Sequence, residues 1–348
     1  MTTFKRIQGL DLLRFIAISL VVLLHASEVI GTINPILFKF FKIGWIGVDL
    51  FFVLSGYLIA SQVFKTEGDS KWANLKEFWI KRWWRTLPLY FFALFVYTVI
   101  KPLLGFPFQQ FSFKFFFFLQ NFSRIYDFTQ SWSLCIEEHF YIIFPILAFS
   151  FGLKKNRAYI WLLFVLGSLL ARLYYFKNFQ IEPSAVGIDF SLRFVTQYHL
   201  DGIAMGVFMA KTKNSWLNWS REVKILLGLI GTFLVTYFPY TTPYFLPGYS
   251  SVWMFTVLAI GFSMLLVALH DIKIVKPISK PIEFIALWSY GIYLWNGLVI
   301  RLFHHLKLGT NDYLIILIFF LTSVCVAIPT YYFVEKPFLK LRDSLLAR

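Results

Sequence analysis

Apolar residues are grouped in long runs that recur from one end of the chain to the other, with short polar segments between them. A run of about 20 apolar residues is long enough to cross a bilayer as an α-helix. The pattern predicts about ten such spans, at residues 10–30, 44–63, 83–100, 132–151, 158–176, 193–211, 223–240, 250–269, 284–303 and 313–334. We therefore expect an all-α polytopic integral membrane protein, organised as a single transmembrane domain over residues 1–348 with no separate soluble domain.

One further apolar run, Phe111–Phe122 (FSFKFFFFLQNF), is too short to cross a bilayer. A spanning helix needs at least about 17 residues. We expect this run to form one short outer re-entrant or interfacial helix.

The basic residues of the chain are concentrated in particular loops. Lys and Arg are frequent at 65–85, 152–157, 211–224 and 273–280, whereas the loop 241–249 carries no charge. With ten spans, all of these basic loops lie on the same side of the membrane as the N-terminus. Because cytoplasmic loops carry an excess of Lys and Arg, both termini are predicted to be cytoplasmic. The expected location is the plasma (inner) membrane.

The composition supports an integral membrane protein and argues against a soluble or nucleic-acid-binding protein. Hydrophobic residues make up 58% of the 348 residues and charged residues only 15%, against about 25% charged residues in soluble domains. The net charge of +15 is dispersed over short loops, so a nucleic-acid partner is not expected. The two cysteines, Cys135 and Cys325, lie in apolar runs and form neither a disulfide framework nor a metal site. No metal is expected.

The first span, Gly9–Glu28, contains the charged or ionisable residues Asp11, Arg14, His25 and Glu28. One charge at the centre of a membrane helix costs roughly 2.5–3.5 kcal/mol on insertion scales, so four such residues indicate function. Arg14 and His25 are eleven residues apart, which places them on one stripe of a helix, about 16 Å apart along its axis. Asp11 can pair with Arg14, and Glu28 with His25, at a spacing of three. We predict a polar track from the membrane edge to an imidazole near mid-membrane.

The second span places Asp49 among apolar residues and near Gly44, Gly47 and Gly56. Small residues allow helices to approach closely. Two interpretations of Asp49 remain open: it is a carboxylate paired within a packing face, or it forms a wall of a site.

Arg82 and Arg85 lie where a basic loop enters the third span, in the segment KRWWRTLPLYF. Their spacing of three places both guanidiniums on one helical face, and paired guanidiniums suit phosphate binding. A cytoplasmic anchor beside a belt of tryptophans explains the same pattern. The spacing alone does not decide between phosphate binding and a membrane anchor.

The fourth span begins SWSLCIEEHFY, with Glu137, Glu138, His139 and Tyr141 in an otherwise apolar helix. A carboxylate here can orient the imidazole or bind substrate hydroxyls, and the alternative is a structural hydrogen-bond network. No second histidine follows at the spacing of a zinc-binding helix. His199, in the segment YHLDG of the sixth span, ranks below His25 as a candidate base.

These segments, taken in order, resemble the acyltransferase family 3 membrane proteins, the O-acyltransferases that modify bacterial surface glycans. Arg14 and His25 match the basic residue, ten residues and histidine of that family, and the resemblance extends from Gly9 to about Arg342. Later blocks that match, besides the pair Arg82 and Arg85, are GVDLFFVLSGYLI, WSLCIEEHFY, HLDGIAMG, SYGIYLWN and FVEKPF. The chain departs from the family at Asn296, where histidine is frequent, and at His139, where glutamine is common.

The resemblance implies transfer of an acyl group, most often acetyl, from cytoplasmic acyl-CoA to a hydroxyl of a cell-surface or lipid-linked carbohydrate. On this basis His25 is expected to be the general base, oriented by Glu28 or Glu138. Arg14 would lie on the route of the donor. Arg82 and Arg85 would hold the phosphates of CoA.

Expected substrate-binding residues are Asp49, Glu137, Tyr141 and Asn296. The expected partners are acyl-CoA as the donor, a carbohydrate or glycolipid acceptor, and membrane lipid.

A transporter or flippase of a glycan or lipid would use the same buried charges as a polar path. Such proteins often contain repeated halves with broken helices, and no repeat is evident in this sequence. Acyl-CoA binding that depends on Arg82 would favour the enzyme, whereas export without acyl-CoA turnover would favour the transporter. A catalytically silent binding or regulatory relative would require the track from Arg14 to His25 to be dispensable.

Overall fold

The computed structural model describes residues 6–30, 35–65, 70–103, 105, 112–123, 127–150, 158–181, 184, 189–242, 249–306 and 311–346. Within these ranges all regular structure is helical, as the sequence predicts. The basic loop 152–157 and residues 243–248 of the uncharged loop lie outside the described residues.

The α-helices are numbered in chain order. They are α1 Gln8–Ala26, α2 Pro35–Lys42, α3 Ile46–Val63, α4 Lys71–Phe95, α5 Ser131–Ser150, α6 Tyr159–Asn178, α7 Asp201–Lys211, α8 Lys213–Leu217, α9 Arg221–Thr241, α10 Tyr249–Leu269, α11 Lys276–Leu306, α12 Asp312–Thr330 and α13 Lys336–Leu346. Side-chain caps begin several of them: Ser70 accepts a hydrogen bond from Ala73 N at the start of α4, and Asn311 accepts one from Tyr313 N at the start of α12.

Eight helical segments in the described residues are long and apolar enough to cross a membrane, which is the architecture of a polytopic membrane protein. Two of the ten predicted spans differ from these segments. The sixth, 193–211, is α-helical only over Asp201–Lys211, about 16 Å of helix and too short to span alone. The ninth, 284–303, lies within α11, which is not one of the eight. The number of spans and the side of each terminus stay predictions.

Helix α3 is packed tightly on both sides, as its glycines predict. A Cβ added to Gly56 would overlap with the carbonyl oxygen of Ile203 in α7, and one added to Gly47 would overlap with that of Ala17 in α1. The absence of a side chain at these positions lets the backbones approach each other. Helix α3 is therefore fixed between α1 and α7.

The segment predicted to be a short helix, Phe111–Phe122, forms two separate 3₁₀ turns over its described residues, Phe113–Phe116 and Gln120–Phe122. The prediction of a single helix is wrong here because Phe118 adopts a left-handed backbone conformation, with φ of 56°. Side chains of the bundle hold the segment instead: the Tyr90 hydroxyl donates to Phe115 O at 2.8 Å. The prediction that the segment does not span is consistent with these short turns.

The first helix ends one residue after His25. From Gln8 to His25 an α-helix rises about 25 Å, close to the hydrocarbon thickness of about 30 Å. His25 therefore lies near the end of α1 opposite the N-terminus, not halfway along the span as the sequence suggested. The difference arises because the predicted span began and ended later than the helix does.

Candidate active site

A cavity of about 820 Å³, with its open mouth included, lies between α1, α3, α4, α5 and α11. Its polar wall consists of Arg14, Ser55, Arg82, Arg85, Thr86, Ser133, Glu137, Ser289, Tyr290 and Tyr293. Its apolar wall consists of Val48, Phe51, Phe52, Leu54, Leu58, Ile59 and Leu134.

Three arginines from two helices line this one cavity, but their surroundings differ. Arg14 lies 3.7 Å from Asp11 Oδ1 within α1. Arg82 donates to Glu137 Oε2 at 3.4 Å and to the Tyr141 hydroxyl. Among the described residues, Arg85 makes no hydrogen bond or ion pair that would hold its guanidinium, and its side chain is exposed. The cavity therefore has positive charge with free donors on its wall.

Tyr141 connects α3, α4 and α5 behind the cavity wall. Its hydroxyl donates to Glu137 Oε2 at 2.5 Å and lies 2.7 Å from Ser55 Oγ. Tyr141 is completely buried, whereas Glu137 reaches the cavity. Glu137 and Tyr141 thus pair at a spacing of four within one helix, and Tyr141 acts on the cavity through Glu137 and Arg82.

Glu138 is bound to α4 rather than to His25. The indole N–H of Trp83 donates to Glu138 Oε2 at 3.0 Å, and the Thr86 hydroxyl donates to Oε1 at 3.1 Å. The Tyr290 hydroxyl donates to the carbonyl oxygen of Thr86 at 2.9 Å. These bonds fix α5 and α11 against α4 at the edge of the cavity.

Asp49 belongs to a separate buried cluster. Its Oδ1 lies 2.9 Å from His199 Nε2, and its Oδ2 lies 3.6 Å from Arg193. Phe52, whose ring centroid is 5.2 Å from that of His199, lines the cavity in front of this cluster. Asp49 itself does not line the cavity. The geometry therefore agrees with the packing interpretation of this carboxylate.

His25 and Glu28 form a pair at the opposite end of α1 from Arg6 and Asp11. His25 Nδ1 lies 3.1 Å from Glu28 Oε1, which confirms the predicted pairing at a spacing of three. The pKa of Glu28 lies below its ordinary value: burial raises it, but the hydrogen bond with His25 and the nearby charges of His25, Lys42 and His304 lower it further. Among the described residues, His25 is not part of the cavity wall.

Asn296 is completely buried, and its Oδ1 accepts a hydrogen bond from the Ser323 hydroxyl at 3.3 Å. It lies between α11 and α12 and does not line the cavity. Of the predicted site residues, the structure thus brings together Arg14, Arg82, Arg85 and Glu137.

Sequence reasoning missed the contribution of Thr86 and Tyr290 to this cavity. Both are polar residues next to recognised motifs, Thr86 directly after Arg85 and Tyr290 inside the SYGIYLWN block. A polar residue adjacent to a candidate site in a spanning helix was the available signal. Among the described residues, no group of three or more His, Cys, Asp or Glu side chains is arranged to hold a metal ion.

Comparison with known proteins gives a consistent result. The family described as an acyltransferase domain, Acyl_transf_3, matches residues 7–332 of the chain. No solved structure is significantly similar to this chain.

Several curated bacterial proteins are similar over most of this chain. The peptidoglycan O-acetyltransferase OatA of Listeria monocytogenes is 27% identical over 333 residues, which cover 86% of this chain and 50% of that protein. A putative O-acetyltransferase of Staphylococcus aureus strain COL is 26% identical over 390 residues, which cover 97% of this chain and 59% of that protein. The O-acetyltransferase OatA of Staphylococcus aureus strain NCTC 8325 is 26% identical, in an alignment that covers 97% of this chain and 58% of that protein. The chain thus spans about half the length of the curated relatives it matches.

Proposed function

Because the chain belongs to the acyltransferase 3 family, we propose that it transfers an acyl group, most often acetyl, from cytoplasmic acyl-CoA to a hydroxyl of a cell-surface or lipid-linked carbohydrate. The observation that carries this proposal is the single cavity that combines three guanidiniums with an apolar wall. An acyl-CoA has the same two parts, since it carries phosphates at one end and an acyl thioester at the other.

The donor is assigned to the arginine side of the cavity. Arg85 has free N–H donors, and Arg14 and Arg82 add positive charge on the same wall. Guanidiniums bind phosphate oxygens in a bidentate manner and stay charged at all physiological pH values. The apolar side chains of α3, including Phe51, Leu54 and Leu58, suit the uncharged arm and the acyl group.

His25 is assigned as the general base. Glu28 engages Nδ1 of the imidazole, which leaves Nε2 to take a proton. In the transfer step, His25 Nε2 removes the proton of the acceptor hydroxyl while that oxygen attacks the acyl carbonyl carbon. The carbon–sulfur bond of the thioester breaks, and the imidazolium returns the proton to the leaving thiolate. A hydroxyl at its ordinary pKa is a poor nucleophile, so a positioned base supplies the needed activation.

The two parts of this site lie at different depths. Arg14 and His25 are about 16 Å apart along α1, so the donor phosphates and the base occupy opposite ends of an elongated site. With ten spans and cytoplasmic termini, the arginine end faces the cytoplasm and His25 lies towards the outside of the inner membrane. The donor and the acceptor then enter from opposite sides.

The acceptor is a carbohydrate of the cell envelope, as the name of the Listeria relative, a peptidoglycan O-acetyltransferase, suggests. Glu137 is the acidic residue on the cavity wall that can bind a substrate hydroxyl. Asp49, Tyr141, Glu138 and Asn296 are buried and would act by holding neighbouring residues in place.

The test uses membranes that contain equal amounts of the wild-type chain, His25→Ala or His305→Ala. His305 is an exposed histidine in the last turn of α11 and is not assigned to the site. Acetyl-CoA labelled in the acetyl group is supplied, and label is followed into glycan and glycolipid fractions. We expect transfer with wild type and His305→Ala and at least a 100-fold loss with His25→Ala, the low end for general acid–base catalysis.

Label transfer by His25→Ala at the wild-type rate would contradict the assignment of the base. Export of a glycan or lipid by the wild-type chain without acyl-CoA turnover would contradict the enzyme and support the transporter.

A further inference from the structure

A second group of charged side chains lies outside the arginine cavity, and the proposed reaction does not use it. Lys101 Nζ donates a hydrogen bond to Asp127 Oδ1 at 2.5 Å, and Arg301 Nη2 donates to the same oxygen at 2.7 Å. Lys101 follows α4, Asp127 precedes α5, and Arg301 lies near the end of α11. Lys101 and Asp127 are buried, whereas 42% of the Arg301 side chain is exposed. The group thus links three helices of the cavity and presents one guanidinium at the surface.

Helices α1 and α11 pack against each other and run in the same direction. Near their starts, Arg6 donates a hydrogen bond to the carbonyl oxygen of Glu283 at 2.8 Å. Further along both helices, Arg14 and Tyr290 line the same cavity. Residues that follow Arg14 and Tyr290 by the same number of positions therefore lie at the same level.

His25 and Arg301 are such a pair of residues. His25 comes eleven residues after Arg14, and Arg301 comes eleven residues after Tyr290. Eleven residues of α-helix amount to three turns plus about 20°, and to a rise of about 16 Å. Both side chains therefore continue the stripe of their helix that faces the cavity, and Arg301 lies level with the proposed base on the neighbouring helix.

Asp127 holds the Arg301 guanidinium in one orientation. Among the described residues, Arg301 makes one hydrogen bond, which goes to Asp127, so most of its five N–H donors stay available at the surface. A cation that is fixed before a ligand arrives loses less freedom on binding. Guanidinium groups match carboxylate and phosphate in geometry and bind them in a bidentate manner.

An ion pair that only fastens α11 to the start of α5 is the simpler explanation of this group, but other cations lie at the same end of the molecule. Lys42, the last residue of α2, is exposed. A Cβ added to Gly44, two residues later, would lie 3.1 Å from Cβ of Leu24, the residue before His25. In the proposed topology this end faces the outside, where an excess of Lys and Arg is not expected. An anionic partner accounts for these cations.

We propose that the acceptor is an anionic carbohydrate, and that Arg301, held by Asp127, binds its carboxylate or phosphate group beside His25. This contact orients a hydroxyl of the acceptor towards the imidazole. The inference rests on the proposed acyl transfer and adds the charge of the acceptor and a residue that recognises it.

The test supplies the purified full chain in nanodiscs with labelled acetyl-CoA and with glycan and glycolipid fractions from the envelope of the producing cells. The fractions are used untreated, after conversion of their carboxylates to neutral amides, or after cleavage of their phosphate esters with cold hydrofluoric acid. The variants are Arg301→Gln, which removes the charge, and Arg301→Lys, which keeps it. The control is Arg221→Gln, because Arg221 is exposed at the start of α9 and is not assigned to either site.

We expect Arg301→Gln to raise the apparent KM for the untreated acceptor fraction at least about tenfold, as loss of one charge-assisted hydrogen bond predicts. Its KM for acetyl-CoA should stay at the wild-type value, which also shows that the chain is folded. Arg301→Lys should have an intermediate effect, and Arg221→Gln should behave like wild type. One of the two treatments should raise the KM of wild type by a similar factor and have little further effect on Arg301→Gln.

Equal transfer by wild type to untreated fractions and to fractions that have lost both anionic groups would overturn the anionic acceptor while leaving acyl transfer intact. An unchanged acceptor KM in Arg301→Gln would overturn the role of Arg301. If Arg301→Gln is inactive, the treated fractions with wild type and the response of Arg301→Lys decide the question. Absence of label from the untreated fractions with wild type would contradict the proposed acyl transfer itself, and this inference with it.

Discussion

Arg82 and Arg85 lie three residues apart on one helix, but their guanidiniums have different bonding partners in the structure. Arg82 is bonded to Glu137 on the cavity wall and to the buried Tyr141 behind it. Arg85 is exposed and has free donors among the described contacts. The spacing in the sequence could not separate them, because both residues occupy the same helical face and the partners of Arg82 come from α5.

Substitution of each arginine by glutamine should therefore have a different result. Arg85→Gln should raise the Kd for CoA by about tenfold to a hundredfold, as loss of one charge-assisted hydrogen bond of about 1.5–3 kcal/mol predicts, with little change in thermal stability. Arg82→Gln should weaken binding and also lower the free energy of unfolding by about 1–3 kcal/mol, because Glu137 loses its cation.

Binding to the chain in nanodiscs and thermal unfolding in detergent measure these two effects separately. Equal losses of stability in the two variants would show that Arg85 is held by protein contacts as firmly as Arg82, and would contradict the difference in their bonding.

At the scale of the helices, the close approach of α3 to α7 depends on Gly56. A Cβ at this position overlaps with the backbone oxygen of Ile203, whereas a Cβ at Gly167 in α6 meets nothing within 4 Å. We expect Gly56→Ala to lower the free energy of unfolding by about 1–3 kcal/mol through overpacking. Gly167→Ala should be neutral or stabilise by up to about 1 kcal/mol, because alanine is favoured over glycine in helices.

Thermal unfolding of the two alanine variants in the same detergent tests this pair. If Gly56→Ala were as stable as Gly167→Ala, the interface between α3 and α7 would have to be looser than the structure shows.

Apolar run lengths predicted most helices correctly, because burial in lipid requires continuous apolar helices. The same signal failed at Phe111–Phe122, where the conformation of Phe118 and side-chain hydrogen bonds from distant residues decide the backbone. It also failed at 193–211, where only Asp201–Lys211 is α-helical. Such features depend on partners far away in the sequence.

The candidate site was predictable in part for a similar reason. Pairing within one helix, such as His25 with Glu28, follows from spacing and is present. The gathering of Arg14 with Arg82 and Arg85 depends on how α1 packs near α4, which no local pattern encodes. Glu138 was a candidate to orient His25, but its bonds to Trp83 and Thr86 leave Glu28 as the partner of the imidazole.

At the scale of the whole molecule, the proposed reaction uses the two ends of α1 for different tasks: donor binding at one end and the general base at the other. Arg14 lies on the cavity wall, about one helical turn after Asp11 in the first half of α1. His25 lies in the last turn of the same helix. In the proposed reaction, the donor would therefore enter from one side of the membrane and the acceptor from the other. The side of the membrane from which acyl-CoA acts is therefore the most direct test of the proposed reaction.

That side can be measured in sealed membrane vesicles of opposite orientation, prepared from the same cells and containing equal amounts of the chain. Acetyl-CoA labelled in the acetyl group, which carries several charges and does not cross the bilayer, is added outside the vesicles. We expect rapid transfer of label to glycan or glycolipid in inverted vesicles and at least tenfold slower transfer in right-side-out vesicles until they are permeabilised. Equal transfer in both orientations, or transfer only in intact right-side-out vesicles, would contradict the assignment of the arginine cavity as the cytoplasmic donor site.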